Sequence, residues 1–172
     1  MRLAVVTAGL RRPSSTRLLA DRLTEAVVRE VAADVTVVEV RDHAHDLVNH
    51  MISGYPSETL EPALAAVTGA AGLIAVTPVV SASYSALFKA FFDALDQDAL
   101  RGKPVLAAAT GGTARHSLVL DHAVRPAVRV PARGGGPDDG VRGPGGLGRR
   151  HAAGRARAGS RRRAGGAHDP AG

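Results

Sequence analysis

The sequence predicts an α/β domain in which helices cover both faces of an open, mostly parallel sheet. Three observations predict it. Apolar runs alternate with helix-period segments along the first 126 residues, the joins between them are short, and three of the runs end in turns rich in glycine, proline and hydroxyl residues. Strands buried on both faces read as continuous apolar runs. Strand–helix alternation with short joins implies parallel strands linked by crossover helices.

The elements follow in order. RLAVVTA (2–8) is a buried strand ending in a turn. Ser14, Ser15 and Thr16 offer caps for a helix running to about residue 31, with Leu18, Leu19, Leu23 and Val27 on one side. VTVVEV (35–40) is a second strand, and 41–57 reads as a polar loop. A helix from about residue 57 to 69 leads into a third strand, GLIAVTP (72–78). Ser85 to Leu95 is a helix whose stripe is Leu87, Phe88, Phe91, Phe92 and Leu95. KPVLAAAT (103–110) is a fourth strand, and another helix begins near His116.

A chain of 172 residues with 45% hydrophobic residues is long enough for one domain with a sizeable core. Without cysteine it has no disulfide, thiolate nucleophile or zinc–thiolate site. The N-terminus lacks the order of charge, apolar stretch and cleavage site of a signal peptide, and no apolar run approaches the roughly 20 residues of a membrane helix. A cytoplasmic protein is expected.

The net charge is +6, but its location matters more than its sum. Residues 127–172 hold ten Arg and three Asp, which leaves 12 basic and 13 acidic side chains in residues 1–126. The basicity therefore belongs to the tail. Of its 46 residues, 36 are Gly, Arg, Ala or Pro, with no aromatic residue and no periodicity. Such a segment buries too little apolar area to offset its ordering entropy, so a disordered basic tail is expected. A nucleic-acid binder acting through that tail is a possible class, but it lacks rings for base stacking.

The four residue types that dominate the tail share GC-rich codons. Read one base forward from Ala127, AVRVPARGGGPDDGVRG can encode PFAYLRAVVVPTTVFAA. That string reads as a helix end, a strand with three consecutive valines and a turn. Further on, GGLG can encode EDW. A frameshift near Pro126 that replaced the native C-terminus accounts for both the composition and the hidden pattern.

In an open parallel sheet, ligands bind outside the C-terminal ends of the strands. The turns after the first, third and fourth strands should therefore converge. The first, TAGLRRPSSTR (7–17), joins a turn-forming Gly9 to the N-terminus of a helix, where free N–H groups and the helix dipole favour an anion. Ser14, Ser15 and Thr16 can donate to phosphate oxygens, and Arg12 or Arg17 can neutralise them. The segment is neither a GxxxxGK[ST] P-loop nor a GxGxxG dinucleotide fingerprint. The second, TPVVSASYSALFK (77–89), has a proline and small residues that let a flat ring lie close to the backbone. Tyr84 and Lys89 are five apart, so they do not form a dehydrogenase Tyr/Lys pair on one helix face. Ser81, Ser83 and Ser85 lack a GxSxG elbow. The third, ATGGTARH (109–116), again permits close backbone approach. DHAHD (42–46), with Asn49 and His50, reads as a solvated stretch rather than a metal site.

Together these turns resemble the NADPH-dependent FMN reductases over residues 1–126. Gly9, Arg12 and Ser15 match that family's phosphate loop, with Leu10 where serine is usual, and Ser14 to Arg17 resembles the ending of one bacterial branch. TPVVSASYSALFKAFFDALD resembles the flavin-ring loop and its helix: Pro78, Val79, Ser81 and Ser83 fall at matching positions, while Val80 stands where Tyr or Phe is usual. Thr110, Gly111 and Gly112 resemble the third flavin loop. The resemblance implies a flavodoxin-like sheet in the order 2-1-3-4(-5), here without its fifth strand and last helix. It implies noncovalent FMN, NADPH or NADH as hydride donor, and a homodimer with the DHAHD stretch (42–46), Asn49 and His50 near the subunit contact. No catalytic side chain is implied, because the flavin carries the chemistry. A quinone or azo-dye reductase and a flavodoxin-type electron carrier are the neighbouring readings. The arginines in 11–17 count against the carrier. Loss of the last strand and helix implies reduced stability, aggregation or weak flavin binding.

Overall fold

The computed structural model describes residues 1–113 and 116–128. Strands β1 (Arg2–Thr7), β2 (Asp34–Glu39), β3 (Gly72–Val80) and β5 (Val105–Thr110) form a parallel sheet in the order β2-β1-β3-β5. Register runs Leu3 to Val35 on one side and Leu3 to Gly72 on the other, then Leu73 to Val105. The expected order is thus observed for the four main strands. A two-residue strand, β4 (Ser83–Tyr84), folds back antiparallel on the end of β3.

The period of two along each strand divides the core. Leu3 and Val5 of β1, with Ile74 and Val76 of β3, face helix α1 (Ser15–Glu30). Ala4 and Val6, with Leu73 and Ala75, face the other side, where α2 (Ala44–Ser53), α3 (Glu61–Thr68), α4 (Ala86–Asp93) and α5 (Arg125–Val128) contribute Leu47, Val67, Phe88, Phe91 and Val128. The Phe88 and Phe92 rings pack in a tilted arrangement, 4.6 Å between centroids. Among the described residues no further parallel strand follows β5. On its α1-facing side Leu106 is 43% exposed.

Several expectations are corrected. Residues 41–57 are mostly helical: a 3-10 turn (Val40–His43) enters α2, which buries Leu47 and ends at Gly54 with φ +79°. That conformation suits glycine and closes the helix by a 2.8 Å bond from the Gly54 N–H to the His50 carbonyl. Leu18 does not belong to the α1 stripe and is 53% exposed. It lies two residues, about 200°, around the helix from the buried Thr16. Leu19, Leu23 and Val27 do pack inward. The helix expected from residue 57 starts at Glu61, because Ser57 first forms a turn whose hydroxyl accepts the Leu60 N–H. The helix expected near His116 is a turn followed by a π-helical segment (Leu120–Val124) that runs into α5. Helix α5 carries the chain past Pro126 and buries Val128. The tail expectation for 129–172 lies outside the described residues. No described helix is long and apolar enough to cross a membrane.

Candidate functional site

The C-terminal ends of β1, β3 and β5 meet at a cleft of about 620 Å3. That is within the usual few hundred to one thousand Å3 of small-ligand sites. At one end sits the start of α1. Ser14 is its N-cap in extended conformation, and its Oγ accepts the Arg17 N–H at 3.2 Å. The N–H groups of Ser15 and Thr16, in the first turn, have no partner within the helix. Gly9 is required here: a Cβ would come within 2.0 Å of Ser14 Oγ. Thr16 is buried and its Oγ1 lies 2.9 Å from Thr110 Oγ1, tying the first loop to the third.

The other end is walled by Pro78, Val79 and Val80 and by Gly111 and Gly112. The second loop is a tight hairpin rather than a plain strand-to-helix turn. Val79 pairs with Tyr84 and Val80 with Ser83, so Ser81 and Ala82 take φ of +48° and +60° at the tip. Two-residue hairpin loops of this hand need positive φ at both central residues. Thr77, fully buried, fixes the base: its Oγ1 donates to the Pro78 carbonyl at 3.0 Å and accepts the Ser85 N–H at 3.1 Å. Ser85 then caps α4 through the Phe88 N–H.

Ten of the expected residues line the cleft: Gly9, Ser14, Ser15, Thr16, Pro78, Val79, Val80, Thr110, Gly111 and Gly112. Arg12, Arg17, Ser81 and Ser83 do not. Ser81 and Ser83 belong to the hairpin beyond Val80. Arg17 donates to Asp21 at 2.7 Å and to Glu39 at 2.5 Å. The Asp21 bond is the largest cause and raises its pKa above the ordinary value; burial opposes it, and the Glu39 bond adds to the rise. Arg12 pairs with Asp42 at 3.1 Å. Leu10, Arg11 and Pro13 also line the cleft, though they were not among the expected binding residues. Their place between Gly9 and Ser14 was the available signal. Arg11 makes no ion pair among the described residues, and its carbonyl accepts from Arg41 Nη1 at 2.8 Å. Arg41 also pairs with Glu39, so one carboxylate holds both Arg17 and Arg41.

The cleft therefore offers an anion site at a helix N-terminus and, at its far end, an apolar slot edged by backbone. That donor set fits a phosphate joined to a flat heterocycle, and a side chain at Gly9 would collide with the N-cap.

The family model for NADPH-dependent FMN reductase matches residues 1–134. The NADH-dependent FMN reductase SfnF of Pseudomonas putida is 39% identical over 127 residues, 73% of this chain and 68% of that protein. An FMN reductase (NADPH) of Pseudomonas aeruginosa is 38% identical over 125 residues, 73% of this chain and 67% of that protein. An oxidoreductase crystal structure from Corynebacterium diphtheriae superposes with a TM-score of 0.70 at 47% identity, covering 73% of this chain and 72% of that one. The apo NADH:FMN oxidoreductase EmoB gives 0.68 at 34% identity, covering 74% and 67%.

Proposed function

The chain belongs to the NADPH-dependent FMN reductase family, and on that premise we propose that its cleft holds FMN with the phosphate at the start of α1 and the ring between the second and third loops. Bound FMN would supply a two-electron acceptor for a hydride from NADPH or NADH. The protein's part is binding and placement. Ser14, Ser15 and Thr16 present hydroxyls and first-turn N–H groups to the phosphate, and Arg11 adds positive charge on the cleft. Pro78, Val79 and Val80 offer an apolar wall to the ring. Val80, at 47% exposure, gives a smaller surface than an aromatic side chain would. Gly111 and Gly112 let the backbone approach from the other side.

The observation that carries this reading is the convergence of three strand ends on one cleft, joined by the Thr16–Thr110 bond. The test is an FMN titration followed by flavin fluorescence, then direct NADPH oxidation. Saturable quenching with NADPH turnover is expected. Binding without turnover would indicate an electron carrier instead.

The family resemblance also suggests a homodimer, and α2 offers a face for it. Val48, Met51, Ile52 and the following Tyr55 are all exposed, a contiguous apolar stripe of the kind that marks interfaces. Met51→Glu should shift the sedimentation mass toward a monomer; an unchanged mass would remove α2 from the contact.

We propose further that the sequence after Pro126 is out of frame, the family match continuing only to residue 134. Leu106, exposed on the α1 side of β5 where a further helix would cover it, supports this. Sequencing the gene and finding no insertion or deletion near that codon would exclude it.

A further inference from the structure

We propose that a second cavity, beside the ring end of the cleft, seats the carboxamide of the hydride donor, with His116 as its hydrogen-bonding partner; this rests on the FMN reading above. The cavity is about 270 Å3 and adjoins the cleft at Val79 and Gly111, which wall both. A donor ring placed against a flavin at that end would bring its carboxamide toward this shared wall. Thr113, His116 and Ser117 supply its polar groups, and Ala109 is part of its apolar wall.

His116 carries the assignment. Its Nδ1 is buried and has no hydrogen-bond partner among the described residues. Buried polar atoms are almost always paired, so an unpaired one beside a cavity marks a place for a ligand's polar group. The side chain is held there deliberately. The His116 N–H bonds to the Thr113 carbonyl at 3.2 Å, and a Cβ on Gly111 would come within 3.3 Å of His116 Cβ. The absence of a side chain at Gly111 thus lets the imidazole approach the cleft. A neutral imidazole nitrogen is a donor in one tautomer and an acceptor in the other. A primary carboxamide carries N–H donors beside a carbonyl acceptor, so it satisfies Nδ1 in either tautomer. The Thr113 and Ser117 hydroxyls, each donor and acceptor, can complete the pairing. The imide edge of a flavin has the same chemistry, and the experiment separates the two.

The FMN-loaded protein is titrated with NAD+, which binds as the donor does without reacting. His116→Leu should weaken NAD+ roughly tenfold, as expected for one lost buried hydrogen bond, and change the FMN Kd by less than about twofold. His116→Asn, whose amide places polar atoms near the position of Nδ1, should recover most of the affinity. Unchanged NAD+ binding in His116→Leu would overturn the proposal, and so would weakened FMN binding with unchanged NAD+ binding, which would give the cavity to the flavin edge. Should His116→Leu fail to fold, the imidazole 15N resonances of His116 in the unmodified protein are followed while free nicotinamide is added. A saturable shift supports the assignment and its absence overturns it. Failure of the unmodified protein to bind FMN would defeat the reading of the cleft and this proposal with it, whereas FMN binding with unchanged NAD+ binding in His116→Leu overturns this proposal alone.

Discussion

Thr16, in the first turn of α1, and Thr110, the last residue of β5, share a 2.9 Å hydroxyl–hydroxyl bond although 94 residues separate them. Both line the cleft. The bond fixes the distance between the anion end and the third loop. Thr16→Val keeps the shape and removes the hydroxyl. A net hydrogen bond is worth about 0.5–1.5 kcal/mol, so FMN affinity should fall between about twofold and tenfold, as read by fluorescence titration. An unchanged Kd would mean that the bond has no bearing on the site.

Gly9 has a stronger requirement. With a Cβ only 2.0 Å from Ser14 Oγ, Gly9→Ala must displace the N-cap of α1. Losing such a cap costs about 1 kcal/mol, and the displaced loop should no longer bind FMN. A Gly9→Ala protein that titrates like the parent would contradict the close packing described.

Ala82 sits at φ +60° at the tip of the β3–β4 hairpin. A left-handed conformation costs a non-glycine residue about 1–2 kcal/mol. Ala82→Gly should therefore raise stability by about 0.5–1 kcal/mol, after allowance for glycine's greater freedom in the unfolded chain. Chemical denaturation gives the answer directly, and a lower midpoint would show that the tip is not strained.

Asp46, in the first turn of α2, accepts a 2.9 Å bond from the Thr59 hydroxyl. That bond, followed by one from Ser57, lowers its pKa below the ordinary carboxylate value. A lowered folded-state pKa adds stability above the unfolded value of about 3.9. The gain is lost as pH falls through the folded pKa. Thr59→Val should raise the Asp46 pKa in an NMR titration and narrow the stability difference between neutral and acidic pH. A pKa that stays low in Thr59→Val would assign the shift to other neighbours.

Leu106 on β5 lies uncovered on the α1 side. Exposed sheet edges and apolar faces favour association over folding. The chain as written should melt below about 50 °C or aggregate on heating, whereas a chain with the alternative frame restored after Pro126 should melt higher and bind FMN more tightly. A cooperative melt of the written chain well above that temperature would show that residues 1–128 suffice.

The sequence by itself determined the alternation of strands and helices, the parallel sheet and the three loops that meet at its C-terminal edge. These are legible because they depend on local periodicity and on turn chemistry near each strand end. It was also enough to place a helix cap among Ser14, Ser15 and Thr16, of which the fold uses Ser14. Helix α2 was less legible, because a single buried Leu47 anchors it while Val48, Met51 and Ile52 stay outside, a pattern that local hydropathy reads poorly.

Tertiary structure alone decided which arginine faces the cleft. Arg12 and Arg17 are as basic in sequence as Arg11, yet Asp42, 30 residues away, takes one and Glu39, 22 residues away, takes the other together with the nearer Asp21. It also decided that His116 Nδ1 would be buried beside Gly111 without a partner. Both outcomes depend on which strand ends the fold brings side by side. Charge pairing and burial act over a few ångströms in space, and residues that close are often far apart along the chain.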